Sequence, residues 1–319
     1  MNKKILILNH HGIGDVLMNV PLIKTLHKQN FEIDMTFKSK LEQSLIDPMN
    51  IVNKSYLYDF RRKKFPNNIN NLILFIKQLR KEKYDIAFST CGISVFYSKL
   101  LFRFLGIKKI IISDKSAESN DHKSKINLNL LKQLKINHDN FIEDFSIQFP
   151  NNFKSFSVPK NYICLHPGSG PIETHKRMKL KDFKKIFNLL PEMNFIITGS
   201  EIEKDQCEEL FNVAKFMNIN IKNFCSKMDI FQTAFLIKKS SFVIGGDSGI
   251  LHLANSVDTP VIGFFGPTNS KHTGPINKNN IFINDKKCQC KYPQINDGCD
   301  CMNNFSTFDI ETAINSINK

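Results

Sequence analysis

The feature that most constrains the fold is an apolar run, residues 242–244, that stops at the sequence Gly-Gly-Asp-Ser-Gly of residues 245–249. A helical pattern of apolar residues follows, so this stretch predicts a buried strand, a tight turn and a helix start. Glycines let backbone N–H groups approach a ligand closely, and the first turn of a helix attracts an anion, usually phosphate. Ser248 and His252 would share one face of that helix. The alternative is that Asp247 or Ser248 merely caps the helix.

Strand and helix patterns alternate along the first half of the chain, which is typical of a doubly wound parallel sheet. The second half starts again with a strand at residues 162–165 and a helix at 181–190. Because 319 residues are many for one core, we expect two domains, residues 1–155 and 156–319. In the first half, strands are predicted at 5–8, 31–37, 84–88 and 109–112, and helices at 15–27, 71–81 and 95–104.

Arginine is scarce among the cations of this basic chain. The formal net charge is +14, yet only five of the 44 Lys and Arg residues are arginine. Proteins that read nucleic-acid grooves rely on arginine forks, so we expect no nucleic-acid partner. A basic surface still favours anionic partners such as nucleotides, phosphorylated glycans or an acidic membrane face.

The apolar stretch nearest the N-terminus, residues 5–8, is too short for a signal segment or a membrane span. We therefore expect a cytoplasmic protein. Peripheral contact with the cytoplasmic face of the inner membrane stays open as a second location.

The loop after the first predicted strand contains a carboxylate, Asp15. Its glycines, Gly12 and Gly14, do not complete a dinucleotide-binding fingerprint, because Leu17 stands where the third glycine would be. A Rossmann dehydrogenase is therefore disfavoured. Asp15 would lie at the carboxyl end of the strand, where ligands of such sheets bind. It is either a helix cap or a general base toward an acceptor hydroxyl.

A second glycine-rich loop, residues 166–170, follows the strand that opens the second half. Two such loops from one sheet can converge on a pyrophosphate, and Lys176 would then supply a cation. The alternative for Lys176 is an ordinary exposed lysine.

The densest basic run is Arg61-Arg62-Lys63-Lys64. It is either a solvated charge run or a set of bidentate contacts to phosphate on an acceptor.

Four cysteines cluster near the C-terminus, at positions 288, 290, 299 and 301. Four thiols so close in sequence suit a structural zinc or iron ion, although C-x-C is shorter than the usual C-x-x-C knuckle. Free or redox-sensitive thiols are the alternative. We expect no catalytic role for Cys288, Cys290, Cys299 or Cys301.

Taken in order, the motifs resemble those of the glycosyltransferase family 9 heptosyltransferases. The resemblance implies the α/β GT-B architecture, with two facing Rossmann-like domains of parallel strands, an interdomain cleft and a last helix (308–318) that returns toward the N-terminal domain. It also implies transfer of a heptose from ADP-heptose to the lipopolysaccharide core, with inversion and without a cofactor. The motifs are Gly14-Asp15, residues 166–169, Lys176-Arg177, residues 198–201, Lys227-Met228, residues 246–249 with His252 and Ala254, residues 260–267, and residues 273–275.

The resemblance also implies roles for individual residues. Asp15 matches the family's general base, and Lys176 matches the lysine at the donor phosphates. Met178-Lys179 depart from the Trp-Pro that usually follows the Lys-Arg pair, which leaves the donor sugar open. The implied donor-binding residues are Gly14, Ser169, Lys176, Glu201, Met228, Asp247, Ser248, Gly249 and His252, and the implied acceptor-binding residues are Arg61, Arg62 and Lys64.

Two alternatives to ADP-heptose:lipopolysaccharide heptosyl transfer remain at this point. One is a related transferase that uses a different nucleotide sugar. The other is a non-catalytic nucleotide- or polyanion-binding relative whose basic surface is its function.

Overall fold

The computed structural model describes residues 2–9, 12–58, 69–90, 94–113, 121–170, 173–290 and 301–317. The chain divides into two compact units, Met1–Asn151 and Asn152–Lys319. Both units are α/β, and each contains one sheet whose strands are all parallel.

The first unit contains a five-stranded sheet with the order β3-β2-β1-β4-β5. Residues 5–8 of its central strand are all apolar and buried, because both faces of a parallel sheet are covered by helices. The elements are β1 (Lys4–Leu8), α1 (Ile13–Met18), α2 (Val20–Lys28), β2 (Glu32–Phe37), α3 (Lys40–Ile46), β3 (Lys54–Leu57), α4 (Ile69–Lys81), β4 (Ile86–Ser89), α5 (Val95–Phe104), β5 (Lys109–Ile112) and α6 (Lys123–Asn129).

The second unit contains a six-stranded sheet with the order β11-β10-β9-β6-β7-β8. Its core contains side chains from the strands and from the helices packed on them. The elements are β6 (Tyr162–His166), α7 (Leu180–Leu189), β7 (Asn194–Ile197), α8 (Lys204–Phe216), β8 (Ile221–Asn223), α9 (Ile230–Lys239), β9 (Val243–Gly246), α10 (Gly249–Ser256), β10 (Val261–Phe265), α11 (Ser270–Thr273), β11 (Ile281–Asn284) and α12 (Thr307–Ile317).

Each sheet has one point where the strand order reverses. In the first unit, this point lies between β1 and β4, because β2 and β3 extend to one side of β1 and β4 and β5 to the other. In the second unit it lies between β6 and β9. Open parallel sheets bind ligands at such points, outside the carboxyl ends of the strands.

The predicted helix over residues 15–27 is wrong in one respect: the structure has two helices, α1 and α2, separated at Asn19. Pro21 lies in the first turn of α2. A proline has no backbone N–H, so it cannot continue the hydrogen-bond ladder of α1 but fits the first turn of a new helix.

The last helix, α12, packs within the second unit. Ile310, Ala313 and Ile314 belong to that unit's hydrophobic core. The predicted return of this helix toward the first domain stays a prediction. Among the described residues, no helix combines the length and apolar character that crossing a bilayer requires.

Candidate active site

In the second unit, four loops follow the carboxyl ends of neighbouring strands. The loops after β6 and β9 flank the reversal of strand order, and those after β10 and β7 lie on either side. Most of the donor-site residues predicted from the sequence fall in these loops. Adjacent parallel strands therefore bring together side chains that are far apart in the chain.

An ion pair connects the loops after β6 and β9. The Nζ atom of Lys176 lies 3.3 Å from Oδ2 of Asp247 and 2.7 Å from Oε1 of Glu173. Lys176 and Asp247 are both buried. Ser169 supports the same loop, because its Oγ atom donates a hydrogen bond to the Glu173 carbonyl at 2.6 Å. The exposed lysine considered as an alternative is thus wrong for Lys176, which is buried beside two carboxylates.

Gly246, the last residue of β9, allows the two loops to approach. A Cβ atom at this position would overlap the backbone carbonyl of Lys176. Backbone atoms cannot rotate away as a flexible side chain can, so only glycine fits here without displacing the Lys176 loop. Gly246 therefore determines how close Lys176 lies to Asp247.

Two buried hydroxyl groups lie in the loops after β9 and β10. The Oγ atom of Ser248 and the Oγ1 atom of Thr268 have no hydrogen-bond partner among the described residues. Buried polar groups are normally hydrogen-bonded, so each of these is a candidate ligand contact. Ser248 is also the N-cap residue of α10, and its side chain accepts no capping hydrogen bond. The first turn of α10, which begins at Gly249, thus has no side-chain cap.

His252 is buried one turn further along α10. His166, at the end of β6, is buried as well, and its Nδ1 atom donates a hydrogen bond to the Thr198 carbonyl at 3.0 Å. Burial lowers the pKa of His166, which favours the neutral imidazole. The Nε2 atom of His166 lies 4.0 Å from Glu203.

Glu201 and Met228 lie beyond the other side of β6, in the loops after β7 and β8. Glu201 is exposed, and hydrogen bonds from Ser226 and Lys204 hold the pKa of its carboxyl below the ordinary value. Met228 is half-buried just before α9. The contact with Ser226 brings Glu201 close to the Met228 loop, but neither residue is part of the Lys176–Asp247 ion pair.

In the first unit, Asp15 lies in the first turn of α1. Its Oδ1 atom is 3.1 Å from Nζ of Lys123, and both side chains are partly buried. The interpretation of Asp15 as the helix cap is wrong, because Gly12 occupies the N-cap position. Gly14 precedes Asp15 within the helix and therefore belongs to the first unit, unlike the other predicted donor residues.

Three buried asparagines lie in the same region, near the end of β1. The Nδ2 atom of Asn127 donates to Oδ1 of Asn19 at 2.7 Å, and Nδ2 of Asn19 donates to Oδ1 of Asn9 at 3.4 Å. This chain of amides connects α1, α2 and α6. It holds Lys123, the first residue of α6, close to the helix that contains Asp15.

The C-terminal cysteines also converge. The Sγ atoms of Cys288, Cys290 and Cys301 lie within 4.8 Å of one another, and Cys288 and Cys301 are joined in a disulfide. Cys290 and Cys301 are buried. Cys288, Cys290 and Cys301 are all disulfide-bonded in the structure, and their three convergent sulfur atoms fit zinc or iron only when reduced, because thiolates are the ligands. The disulfide and a metal site are therefore alternative states of the cluster.

Met302 connects this cluster to the loops after β9 and β10. It has a positive φ of 67° and a fully buried side chain. Cβ atoms at Gly266 and Gly246 would lie 3.1 Å and 3.4 Å from atoms of Met302. The packing under the β9 and β10 loops thus depends on where the residue after Cys301 is held.

Four of the predicted residues, Arg61, Arg62, Lys64 and Cys299, lie outside the described residues. Three residues that the sequence motifs do not indicate lie beside predicted ones or in the same loops, each within its own unit: Lys123 in the first unit, and Glu173 and Thr268 in the second. Thr268 follows the Phe265-Gly266-Pro267 motif, so its position after a strand could have identified it. Glu173 and Lys123 have no such local signal.

Comparison with known proteins identifies relatives along most of the chain. A family model described as "Glycosyltransferase family 9 (heptosyltransferase)" matches residues 73–299. A lipooligosaccharide heptosyltransferase 2 of Campylobacter jejuni subsp. jejuni serotype O:2 is 27% identical over 285 residues, which cover 82% of this chain and 81% of that protein.

Solved structures share the fold at low sequence identity. The ADP-heptose lps heptosyltransferase II of E. coli superposes with a TM-score of 0.73 at 18% identity and covers 98% of both chains. A family 9 glycosyltransferase of Veillonella parvula superposes with a TM-score of 0.78 at 16% identity, covering 99% of this chain and 97% of that one. The predicted GT-B class is thereby confirmed.

Proposed function

The chain belongs to glycosyltransferase family 9 (heptosyltransferase), and on that premise we propose that it transfers a heptose from ADP-heptose to a hydroxyl of the lipopolysaccharide core, with inversion at the anomeric carbon. It is a glycosyltransferase, and the matched relative is named for heptosyl transfer. The observation that carries the proposal is the buried Lys176–Asp247 ion pair at the point where the strand order of the second sheet reverses.

The second unit supplies groups suited to a nucleoside diphosphate. The uncapped first turn of α10 offers backbone N–H donors, and Ser248 and Thr268 offer hydroxyl groups. A diphosphate binds best where N–H donors, a helix N-terminus and a cation converge. Met228, Glu201 and His252 complete the proposed donor site, with Met228 against the base and Glu201 at the nucleoside portion.

Negative charge develops on the diphosphate as the bond from the anomeric carbon to its oxygen breaks, because the electron pair of that bond leaves with ADP. A fixed cation and fixed donors stabilise this charge more in the transition state than in the ground state. Lys176 is suited to this role, since Asp247 and Glu173 hold its ammonium in place before the donor binds. No metal ion is needed for this step.

The acceptor must lose a proton as its oxygen attacks the anomeric carbon. We assign that proton to a carboxylate oxygen of Asp15. Lys123 is suited to position this carboxylate, because its ammonium lies 3.1 Å from Oδ1 of Asp15. Arg61, Arg62 and Lys64 are proposed to contact phosphate groups of the acceptor.

The test is incubation with ADP-heptose, UDP-sugars or GDP-sugars, each with delipidated core oligosaccharide, read by mass spectrometry. We expect a heptose mass increment with ADP-heptose alone. Product from another nucleotide sugar instead would refute the donor assignment, and product from none would refute transfer to this acceptor. NMR of the product reports the anomeric configuration.

Asp15→Asn separates catalysis from binding. We expect transfer to fall by about 10²–10⁴-fold, with the dissociation constant for ADP unchanged in calorimetry. Unaltered turnover in this variant would exclude Asp15 as the base.

A different nucleotide sugar is the second candidate. Met178 and Lys179 replace the Trp-Pro of the family motif, and Met178 is buried in the second core. A change of packing next to Lys176-Arg177 alters the shape of the donor site. The sugar panel above distinguishes the two donors directly.

The alternative of a non-catalytic polyanion-binding relative, suggested by the net charge of +14, is not the function that membership of a transferase family supports. Thermal shift separates it from the transferase, because a ligand that binds only the folded protein raises the melting temperature. Stabilisation by ADP supports the transferase. A response to heparin or DNA with none to nucleotides supports the alternative.

We also propose that the reduced cysteine cluster holds a structural zinc or iron ion, with Cys299 as the fourth ligand beside Cys288, Cys290 and Cys301. Elemental analysis of protein purified without oxygen should give about one metal ion per chain for a four-thiolate site. Cys301→Ser should lose that ion, whereas Cys164→Ser, at a buried free thiol, should retain it. A metal-free reduced protein would refute the assignment.

For location, we propose the cytoplasmic side of the inner membrane, with peripheral contact at its surface. A lipopolysaccharide acceptor is anchored in a bilayer, whereas a nucleotide sugar is water-soluble. An enzyme that joins the two works where both are present. Cell fractionation with antibody detection tests the location.

A further inference from the structure

Two neighbouring helices of the first unit, α4 and α5, expose large apolar side chains. The exposed fractions are 70% for Phe96, 63% for Leu74 and 58% for Phe104. Six of the twelve exposed large hydrophobic residues among the described ones lie on these two helices: Ile73, Leu74, Phe96, Tyr97, Leu100 and Phe104. Single exposed apolar residues are common on protein surfaces, whereas such a concentration marks an interaction site.

Both helices lie on the same face of the first sheet. Phe75 and Leu79 of α4 pack in one core cluster with Phe102 of α5 and with residues of β1 and β4. The exposed residues therefore lie on the outer sides of two helices that pack on the same core cluster. On α5, Phe96, Leu100 and Phe104 follow one another at intervals of four residues and form a stripe along the helix.

The segments that contain the exposed apolar residues also contain lysine and arginine, and they contain no acidic residue. Residues 69–81 contain Lys77, Arg80 and Lys81, and residues 95–113 contain Lys99, Arg103, Lys108 and Lys109, with no Asp or Glu in either segment. All seven cations are exposed. Aromatic residues beside lysine and arginine are the composition of surfaces that lie on anionic bilayers, where apolar groups enter the acyl boundary and cations contact phosphates.

A cavity of about 690 Å³ borders this surface between α5 and the edge of the sheet. Its wall is apolar at Val95, Ile107, Ile110 and Ile112 and includes the cations Lys99 and Arg103. An apolar wall with cations suits an amphiphile that has a phosphate head and a hydrocarbon body.

We propose that α4 and α5 form a docking surface for an anionic phospholipid bilayer, with the α5 cavity accommodating part of one lipid. The biological role of this surface rests on the proposed function, because the acceptor would lie in the same bilayer. The binding itself follows from exposure and charge. It involves none of the residues assigned to the donor or to the acceptor hydroxyl.

The experiment is co-sedimentation of the full chain with vesicles of phosphatidylethanolamine and phosphatidylglycerol, with phosphatidylcholine vesicles for comparison. We expect binding to the anionic vesicles that weakens as salt is added, and little binding to phosphatidylcholine. Equal binding to both vesicle types, or binding to neither, would overturn the proposal.

Two variants assign the binding to this surface. Phe96→Ser with Leu100→Ser and Phe104→Ser removes the apolar stripe, and Lys99→Glu with Arg103→Glu reverses two charges. Each variant should bind anionic vesicles at least ten times more weakly. Phe216→Ser is the matched control, because Phe216 is 91% exposed at the end of α8 in the second unit. Unchanged vesicle binding in both multiple variants would refute the surface.

Two further measurements distinguish membrane docking from sugar transfer and from self-association of the chain. Both variants should transfer sugar to delipidated acceptor at the wild-type rate, so a loss of vesicle binding with intact transfer separates docking from the proposed function. Sedimentation velocity in the absence of lipid tests a second copy of the chain as the occupant. Wild-type self-association that the apolar variant abolishes, without vesicle binding by either protein, would make the surface a protein–protein interface and overturn the proposal.

Discussion

Lys176 and Asp247 form a buried ion pair of 3.3 Å between loops that follow adjacent strands. A buried charge is costly unless it is paired, so each residue offsets the cost of burying the other. With Glu173 as the second partner of the ammonium, the cation is positioned before any ligand binds. The geometry of the proposed donor site thus depends on contacts between loops as well as on the glycine-rich sequence within each loop.

Gly246→Ala tests the close approach that this ion pair requires. The added Cβ atom would overlap the Lys176 carbonyl, so we expect the Lys176 loop to move and affinity for ADP to fall at least tenfold. Overpacking of this kind also destabilises a protein by about 1–3 kcal/mol. Calorimetry with ADP and denaturant unfolding measure the two effects.

Gly170→Ala is the matched control for that substitution, because the nearest atom to its Cβ position is a Glu173 carboxylate oxygen at 3.7 Å. We expect wild-type stability in denaturant unfolding, which makes this variant the control for the overpacking at Gly246. If Gly246→Ala behaves like this control, the close approach has no functional importance.

Ser248→Ala and Thr268→Val test the two buried hydroxyls. Removing a buried hydroxyl that has no protein partner costs little or no stability. If these groups bind the donor, each variant should weaken ADP binding while the melting temperature stays the same or rises. Differential scanning fluorimetry with and without ADP measures both effects.

Thr259→Val is the control with the opposite expectation. The Thr259 hydroxyl donates a hydrogen bond to the Ile237 carbonyl at 3.1 Å. Its loss should cost about 1 kcal/mol of stability and leave ADP affinity unchanged. A loss of stability in Ser248→Ala similar to that of Thr259→Val would indicate a structural role for Ser248.

Lys123→Met removes the cation beside Asp15. We expect kcat to fall about five- to tenfold, equivalent to about 1 kcal/mol, because the carboxylate loses the contact that holds it in position. ADP affinity should not change, since Lys123 belongs to the first unit. Lys125→Met, at an exposed position of α6, is the control and should retain the wild-type kcat. Equal rates in all three proteins would mean that Lys123 does not assist Asp15.

Glu82 should make the first unit sensitive to acid. Hydrogen bonds from Lys4 and Lys54 lower the pKa of Glu82 from 4.5 to about 2. A carboxyl whose pKa is lower in the folded state stabilises the fold above its ordinary pKa. That contribution is lost as the pH falls from about 4.5 toward 2.

Glu82→Gln should therefore show a smaller fall in the free energy of unfolding over this pH window, measured by urea unfolding at several pH values. Asp34, whose pKa is raised by burial and by the Glu82 charge, shares Lys4 with Glu82, so the comparison reports Glu82 together with its effect on Asp34. Glu143→Gln, at an exposed position of the same unit, should follow the wild type. Parallel curves for Glu82→Gln and the wild type would contradict the assignment.

Much of the fold could be predicted from the sequence, because strands and helices carry local signals. The apolar residues 5–8, 243 and 244 lie in strands, and the glycines after residue 244 end a strand and precede a helix. The apolar spacing of residues 15–27 is continuous and therefore predicts a single helix. The hydrogen bonds that Pro21 cannot make divide it in the structure.

The candidate site was less predictable. Motifs identify Lys176 and Asp247 separately, but their ion pair depends on β6 and β9 lying side by side. Glu173 and Lys123 follow no motif and matter only through the groups they contact. The apolar stripe of α5 has the spacing that also occurs on core-facing helices. Only the packing in the structure shows that Phe96, Leu100 and Phe104 face outward.

The sequence by itself determined the alternation of strands and helices, the glycine turns and the family motifs, because steric limits and hydrophobic periodicity act between neighbours in the chain. The tertiary structure alone decided which charges pair, which hydroxyls are left without partners and which apolar residues stay exposed. Those outcomes depend on the order of the strands in each sheet, which brings distant residues together and which no local pattern encodes.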